Sequence, residues 1–239
     1  DIMTVLYFNQ MNIHEKEPEA PLRDRFVLSK GHCSPALYGT LVERGFLEEE
    51  QLKTFRKIDG NLQGHPDKNK VPGVDMTTGS LGQGLSVANG MALNSKLEHD
   101  GYRVYCLLGD GEIEEGQVWE AAMTAHKYKL DNLCAIVDYN HLQIDGDIET
   151  VKALDNLEGK WKSFGFHVLT VDGHDIQSLI DAFTTAKLTK EKPTVIIAKT
   201  VKGKGVSFME NKAGWHGKAP NKEEYEKAIK ELKGGMEKC

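Results

Sequence analysis

Two periodicities alternate along this chain. Apolar runs of strand length fall at 104–108 (Val-Tyr-Cys-Leu-Leu) and 133–137, and apolar-rich strands are predicted at 166–171 and 194–200; runs of this kind are what strands buried on both faces of a parallel sheet require. Between them apolar residues return every third or fourth position. At 117–129, Val118, Ala121, Ala122, Ala125 and Tyr128 share one helical face. Asp175 stands as cap before a helix reaching to about Leu188. Strands in alternation with helices predict an α/β fold: a mainly parallel central sheet with helices on both faces.

The amino-terminal third is less regular. Ile2, Val5, Leu6, Phe8 and Met11 predict a helix, residues 24–32 a short strand and turn, and Ser34 an N-cap with Pro35 in the first helical position and Gly45 at the far end. A further short helix is predicted over 47–56. The Gly/Pro-rich stretch 60–79, with Gly64-His65-Pro66, is a long loop of the kind that usually carries function. Ser80-Leu81-Gly82-Gln83-Gly84 then starts a helix with small residues at Gly84, Ala88, Gly90 and Ala92. Glycine inside a helix costs roughly 1 kcal/mol, so close packing is the expected compensation, at a subunit contact or against a cofactor. After the last strand, 201–220 is loop-rich, and Asn221 with Glu224 forms a capping box for a helix over 221–233 that ends at Gly234-Gly235. All of 1–239 reads as a single domain.

The strand 104–108 ends abruptly at Gly109-Asp110-Gly111, and the next strand delivers Asp138-Tyr139-Asn140 at its own end. A parallel crossover brings both ends to the same sheet edge, so Asp110 and Asn140 are expected side by side, where such sheets bind ligands. One carboxylate and one amide oxygen suit a hard cation, Mg²⁺ or Ca²⁺, that completes its shell with phosphate oxygens and water. That points to a diphosphate cofactor, with Gly109 and Gly111 letting the backbone approach it and the following helix lending its amino-terminal dipole. Taken alone, Gly-Asp-Gly after a strand is equally a tight turn.

Composition narrows the partners. With 239 residues, 39% of them apolar, the chain can bury a substantial core. The net charge of −6 with dispersed Lys and Arg gives no nucleic-acid face and no polybasic membrane patch. Apolar runs fall far short of a membrane span. Cys33, Cys106, Cys134 and Cys239 have no Cys-x-x-Cys spacing and read as reduced thiols of a cytoplasmic protein. Asp1 is not an initiating Met, and the expected start lies upstream.

Gly-Asp-Gly with Asn140 thirty positions after Asp110, the words Glu115-Gly116-Gln117-Val118-Trp119-Glu120-Ala121 and Lys129-Leu130-Asp131-Asn132-Leu133, and further matches from Arg25 to Pro220 resemble the amino-terminal, thiamine-diphosphate-binding half of transketolases. The resemblance implies a metal held by Asp110, Asn140 and the backbone carbonyl of Leu142. It implies cofactor contacts from Gly79, Ser80, Leu81, Gly109, Gly111 and Glu115, and lysines near the diphosphate at Lys202 and Lys218. Glu112 and Glu114 read as an ordinary solvated helix start. His32 in Ser-Lys-Gly-His, His65 in Gly-His-Pro and His216 in Trp-His-Gly are implied to line cofactor and sugar and to serve as the catalytic groups. His14, His99, His126, His141, His167 and His174 read as incidental.

Two departures from the family stand out. The Ser-x-His-Pro-Gly word that opens it is absent, and so is the pyrimidine-binding domain with its activating glutamate. The expectation is therefore the amino-terminal subunit of a split transketolase, moving a two-carbon ketol unit between sugars or sugar phosphates. It would act with a carboxy-terminal, pyrimidine-domain partner in an assembly of two copies of each chain. Other readings are part of a deoxyxylulose-phosphate synthase-like or 2-oxoacid dehydrogenase α-like enzyme, a noncatalytic thiamine-diphosphate module, or a plain Mg²⁺-nucleotide binder. The words Leu-Gly-Gln-Gly and Trp-His-Gly favour transketolase over the dehydrogenase.

Overall fold

In chain order the elements are α1 (Ile2–Val5), β1 (Arg25–Leu28), α2 (Ser34–Glu43), α3 (Gly84–Leu97), β2 (Val104–Gly109), α4 (Gly116–Lys127), β3 (Leu133–Tyr139), the two-residue strands β4 (Leu142–Gln143) and β5 (Gly146–Asp147), α5 (Ile148–Val151), α6 (Leu157–Ser163), β6 (His167–Asp172), α7 (Ile176–Leu188), β7 (Thr194–Lys199) and α8 (Lys222–Met236). This computed structural model describes residues 1–144 and 146–236; Cys239 lies outside them. Five strands pair in the order β1-β2-β3-β7-β6, every pair parallel. β4 and β5 form a small antiparallel ribbon beyond the sheet edge.

Side chains of each strand alternate between two cores. Tyr105 and Leu107 of β2 join one cluster with α1, α2 and α7, through residues such as Val5, Leu41 and Phe183. Val104, Cys106 and Leu108 join the opposite cluster with α3, α4 and α6, through Ala88, Ala122 and Trp161. Helices therefore cover both faces, which is why the central strands β2 and β3 read as nearly continuous apolar runs. The expected caps at Asp175 and Asn221 form: Asp175 accepts the Ser178 N–H at 2.6 Å, and Asn221 and Glu224 bond reciprocally at 2.8 and 2.9 Å.

The structure corrects four local expectations. Ser34 is not an N-cap, because a 3₁₀ turn over Gly31–Cys33 runs straight into α2 and leaves Cys33 in the cap position. The Ser34 hydroxyl instead donates to the Gly64 carbonyl at 2.8 Å. In place of a helix over 47–56 there is a 3₁₀ segment, Glu49–Thr54, after which Arg56 takes a left-handed φ of 57°. The helix begun by Ser80 starts at Gly84, and its small residues meet the chain's own sheet. A Cβ on Gly84 would lie 2.7 Å from Ser29 Cα, Ala88 and Ala92 are fully buried, and only Gly90 faces open space. Lastly, α8 passes through Gly234-Gly235 to Met236.

The long loop between Thr54 and Gly84 has no helix or strand, yet it is anchored. Asp75 accepts Arg23 in a two-pronged pair at 2.5 and 3.1 Å and the Phe26 N–H at 2.8 Å. The Tyr38 hydroxyl donates to the Gln63 carbonyl at 2.8 Å. Farther along, Gly79 lies against the His65 ring and against Gly31, just past the carboxyl end of β1.

Candidate active site

Register decides the geometry of the sheet edge. Gly109, last in β2, lies opposite Asp138 of β3, so Asp110 and Asn140 emerge together. The Asp110 carboxylate is 2% exposed. One oxygen accepts the Asn140 and His141 N–H groups at 2.8 and 2.7 Å, and the other accepts the Gly111 N–H at 2.9 Å. Burial nevertheless pushes its pKa up to about 6, against those three bonds. The Asn140 side-chain oxygen accepts the Leu142 N–H at 3.1 Å, which turns the chain into β4. A Cβ on Gly111 would come within 3.0 Å of Gln143 Cβ, so only glycine fits that turn without displacement.

A second group assembles from distant loops. The rings of His32 and His216 stack with centroids 5.1 Å apart and planes 29° from parallel. Lys202 Nζ lies 3.4 Å from His216 Nδ1. Gly79, at φ +139°, brings its backbone against the His65 ring, where a Cβ would be 2.7 Å away, and against Gly31, the neighbour of His32. Burial lowers the His32 pKa to about 4, reinforced by His216, Lys30, Lys202 and His65. Burial and the two lysines also lower His216. Both imidazoles are thus neutral near pH 7, each with one donor and one acceptor nitrogen.

Ser80, Leu81 and Glu115 are exposed at the same edge. Lys218 pairs with Glu224 at 2.6 Å and lies 4.1 Å over the Trp215 ring. His141, incidental by its sequence context, contributes its backbone N–H to Asp110. Neither of two surface cavities flanking α4, of about 390 and 280 Å³, is lined by the histidines, Asp110 or Asn140.

Sequence reasoning missed a buried ionic layer beneath this edge. Lys30 pairs with Asp138, which also accepts the Thr200 hydroxyl. Burial works against the charge on Lys30, but Asp138 holds its pKa above the ordinary range. Asp138 in turn is held low by Lys30 despite its own burial. The available signal was an aspartate at the end of an apolar strand. Glu112 is no solvated helix start: it is 3% exposed and bonded on both oxygens.

Residues 1–238 match the family described as transketolase, thiamine diphosphate binding domain. The chain belongs to the transketolase family. Over 238 residues it is 44% identical to one of the subunits of the apulose-4-phosphate transketolase of Phocaeicola vulgatus, covering 100% of this chain and 84% of that protein. It is also 44% identical to the 6-deoxy-6-sulfo-D-fructose transketolase subunit SqwG of Clostridium sp. (strain MSTE9), covering 97% and 84%. The crystal structure of the Campylobacter jejuni transketolase superimposes with a TM-score of 0.91 at 35% identity, over 97% of this chain and 37% of that one. The chain is thus the amino-terminal, thiamine-diphosphate-binding part of a transketolase, an enzyme that transfers ketol groups.

The residues present fit that cofactor's metal-bridged diphosphate. Among the described residues no group of three or more His, Cys, Asp or Glu is placed to hold a metal ion of any kind, so a cation here would take few protein ligands and complete its shell from phosphate and water. The Asp110 carboxylate and the Asn140 side-chain oxygen, at the ends of adjacent strands, are hard oxygen donors of the kind that Mg²⁺ or Ca²⁺ takes. Asp110 forms no direct ion pair among the described residues, and a divalent cation would supply a countercharge at its carboxylate.

Proposed function

We propose that this chain binds thiamine diphosphate through Mg²⁺ or Ca²⁺ held by Asp110, Asn140 and the Leu142 carbonyl, and works as the cytoplasmic amino-terminal component of a split transketolase. The observation that carries this reading is the placement of Asp110 and Asn140 at the ends of adjacent parallel strands, with the Asp110 carboxylate gripped by backbone N–H groups from both sides. Gly109, Gly111 and Lys202 would serve the diphosphate, and Gly79, Ser80, Leu81 and Glu115 the remainder of the cofactor. The cofactor supplies a nucleophilic carbon and an electron sink for the two-carbon fragment. His32, His65 and His216 would orient the sugar hydroxyls and pass protons to and from them, which neutral imidazoles can do in either direction.

The open edge, with Leu81 38% exposed, supports a second wall from a pyrimidine-domain partner, in an assembly of two copies of each chain. Relatives named as subunits of transketolases for apulose 4-phosphate and for a sulfonated fructose support sugars with an anionic tail as substrates. The test is reconstitution. The chain alone should bind thiamine diphosphate weakly and transfer no ketol group, and a separately expressed pyrimidine-domain polypeptide should restore activity. Robust turnover by the purified chain, with mass spectrometry detecting no second polypeptide, would refute the split-enzyme reading.

A further inference from the structure

Glu112 sits two residues beyond Asp110 but points back into the protein. Its Oε1 accepts the Ser29 hydroxyl at 2.5 Å and the Gly82 N–H at 3.0 Å, and its Oε2 accepts the Gly109 N–H at 3.0 Å. Ser29 is fully buried. These donors come from three parts of the chain far apart in sequence, and each adjoins a segment of the site. Ser29 leads into Lys30-Gly31-His32, Gly82 follows Gly79-Ser80-Leu81, and Gly109 precedes Asp110. The arrangement depends on close approach: Gly84 lacks the Cβ that would lie 2.3 Å from the Ser29 hydroxyl, and Gly82 holds a φ of +83°.

From this convergence we infer that Glu112 is a positioning residue for the cofactor site. One carboxylate sets the distance between the metal-binding turn, the histidine turn and the loop at 79–82. The inference rests on the cofactor reading given above. Three donors on two oxygens require an acceptor-only group, and a carboxylate is the side chain that provides it. Glutamine in the same place would set an N–H against one of these donors, leaving that donor buried and unpaired. Its segment would then be free to shift relative to the other two, and cofactor binding would have to restore the geometry. Glu115, three residues on and exposed, makes no comparable set of contacts.

The test compares wild type, Glu112→Gln and Glu112→Ala in the assembled transketolase. Thiamine-diphosphate affinity in saturating Mg²⁺, measured by calorimetry, should fall about tenfold in Glu112→Gln. The turnover number at saturating cofactor should stay within about twofold, so that the loss appears in the cofactor KM. Hydrogen exchange at the Gly82 or Gly109 amide should accelerate in the same variant. Should Glu112→Ala fail to fold, the near-isosteric Gln variant still decides. A lowered melting temperature with unchanged cofactor affinity in folded Glu112→Gln would reduce Glu112 to a structural tie and overturn the inference. Wild-type behaviour in every readout would overturn it equally. Failure of the wild-type assembly to bind thiamine diphosphate would bring down the cofactor reading itself and this role with it; wild-type binding with an unaffected variant brings down only this role.

Discussion

The two halves of the candidate site are built in opposite ways. The turn at Asp110 and the turn at Asn140 end neighbouring strands whose register is fixed by the sheet, and the Asp110 carboxylate is held by backbone N–H groups within that short span. His32, His65 and His216 come from three separate loops and meet through a ring stack, a glycine contact and a lysine neighbour. The half proposed for the diphosphate is preorganised by main chain, whereas the half proposed for the sugar depends on how well remote anchors hold. Substitutions should therefore separate binding from turnover.

The largest effect is expected below both halves. Lys30→Met would leave the mostly buried Asp138 without its counterion, and removing one partner of a buried pair costs about 3–5 kcal/mol. Denaturant unfolding should show a loss near the lower figure, because Asp138 keeps some solvent contact; a loss well below about 1 kcal/mol would mean that the layer carries little. At the sugar end, His216→Ala or His65→Ala in the reconstituted enzyme should cut turnover about a hundredfold, about 2.7 kcal/mol. Cofactor affinity should change little, and parallel losses in both quantities would erase the distinction drawn between the halves. At the diphosphate end, Asp110→Ala should weaken thiamine-diphosphate binding at least about tenfold, about 1.4 kcal/mol, and chelation should mimic it. Unchanged affinity by calorimetry in excess Mg²⁺ would remove Asp110 from the metal.

The smallest effect concerns pH. The folded-state pKa of His32, about 4, lies below its ordinary 6.5, so unfolding takes up a proton between those values. The stability linked to this group is complete above pH 6.5 and is lost as pH falls toward 4. Replacing His32 by Asn should flatten the stability-versus-pH slope in that window. An unaltered slope would mean that the ring titrates normally and is less enclosed than its stack on His216 implies.

The β2-α4-β3 unit is readable because each of its signals is local. An apolar run, a helical stripe and a Gly-Asp-Gly each occupy a few consecutive residues, and parallel connection rules then place Asp110 beside Asn140. The histidines are reached through family words instead, since nothing in a lone loop histidine says which other loop it will meet. Ser34 misleads for a related reason: a hydroxyl before Pro35 suits an N-cap, and only the approach of Gly64 gives it another acceptor.

Glu112 and the small-residue face of α3 mark where one-dimensional pattern stops. An acidic run at a helix start is normally solvated, and Gly84, Ala88 and Ala92 permit close packing against any neighbour. Apolar and helical periodicity determined the layers, the strand order of the central unit and the edge where chemistry gathers. Only the folded chain decided that Ser29, Gly82 and Gly109 converge on Glu112, that Lys30 finds Asp138, and that Gly84, Ala88 and Ala92 of α3 are buried within this chain while Gly90 faces outward. Those outcomes depend on which polar groups lose water together, and that is set by contacts between residues distant in sequence.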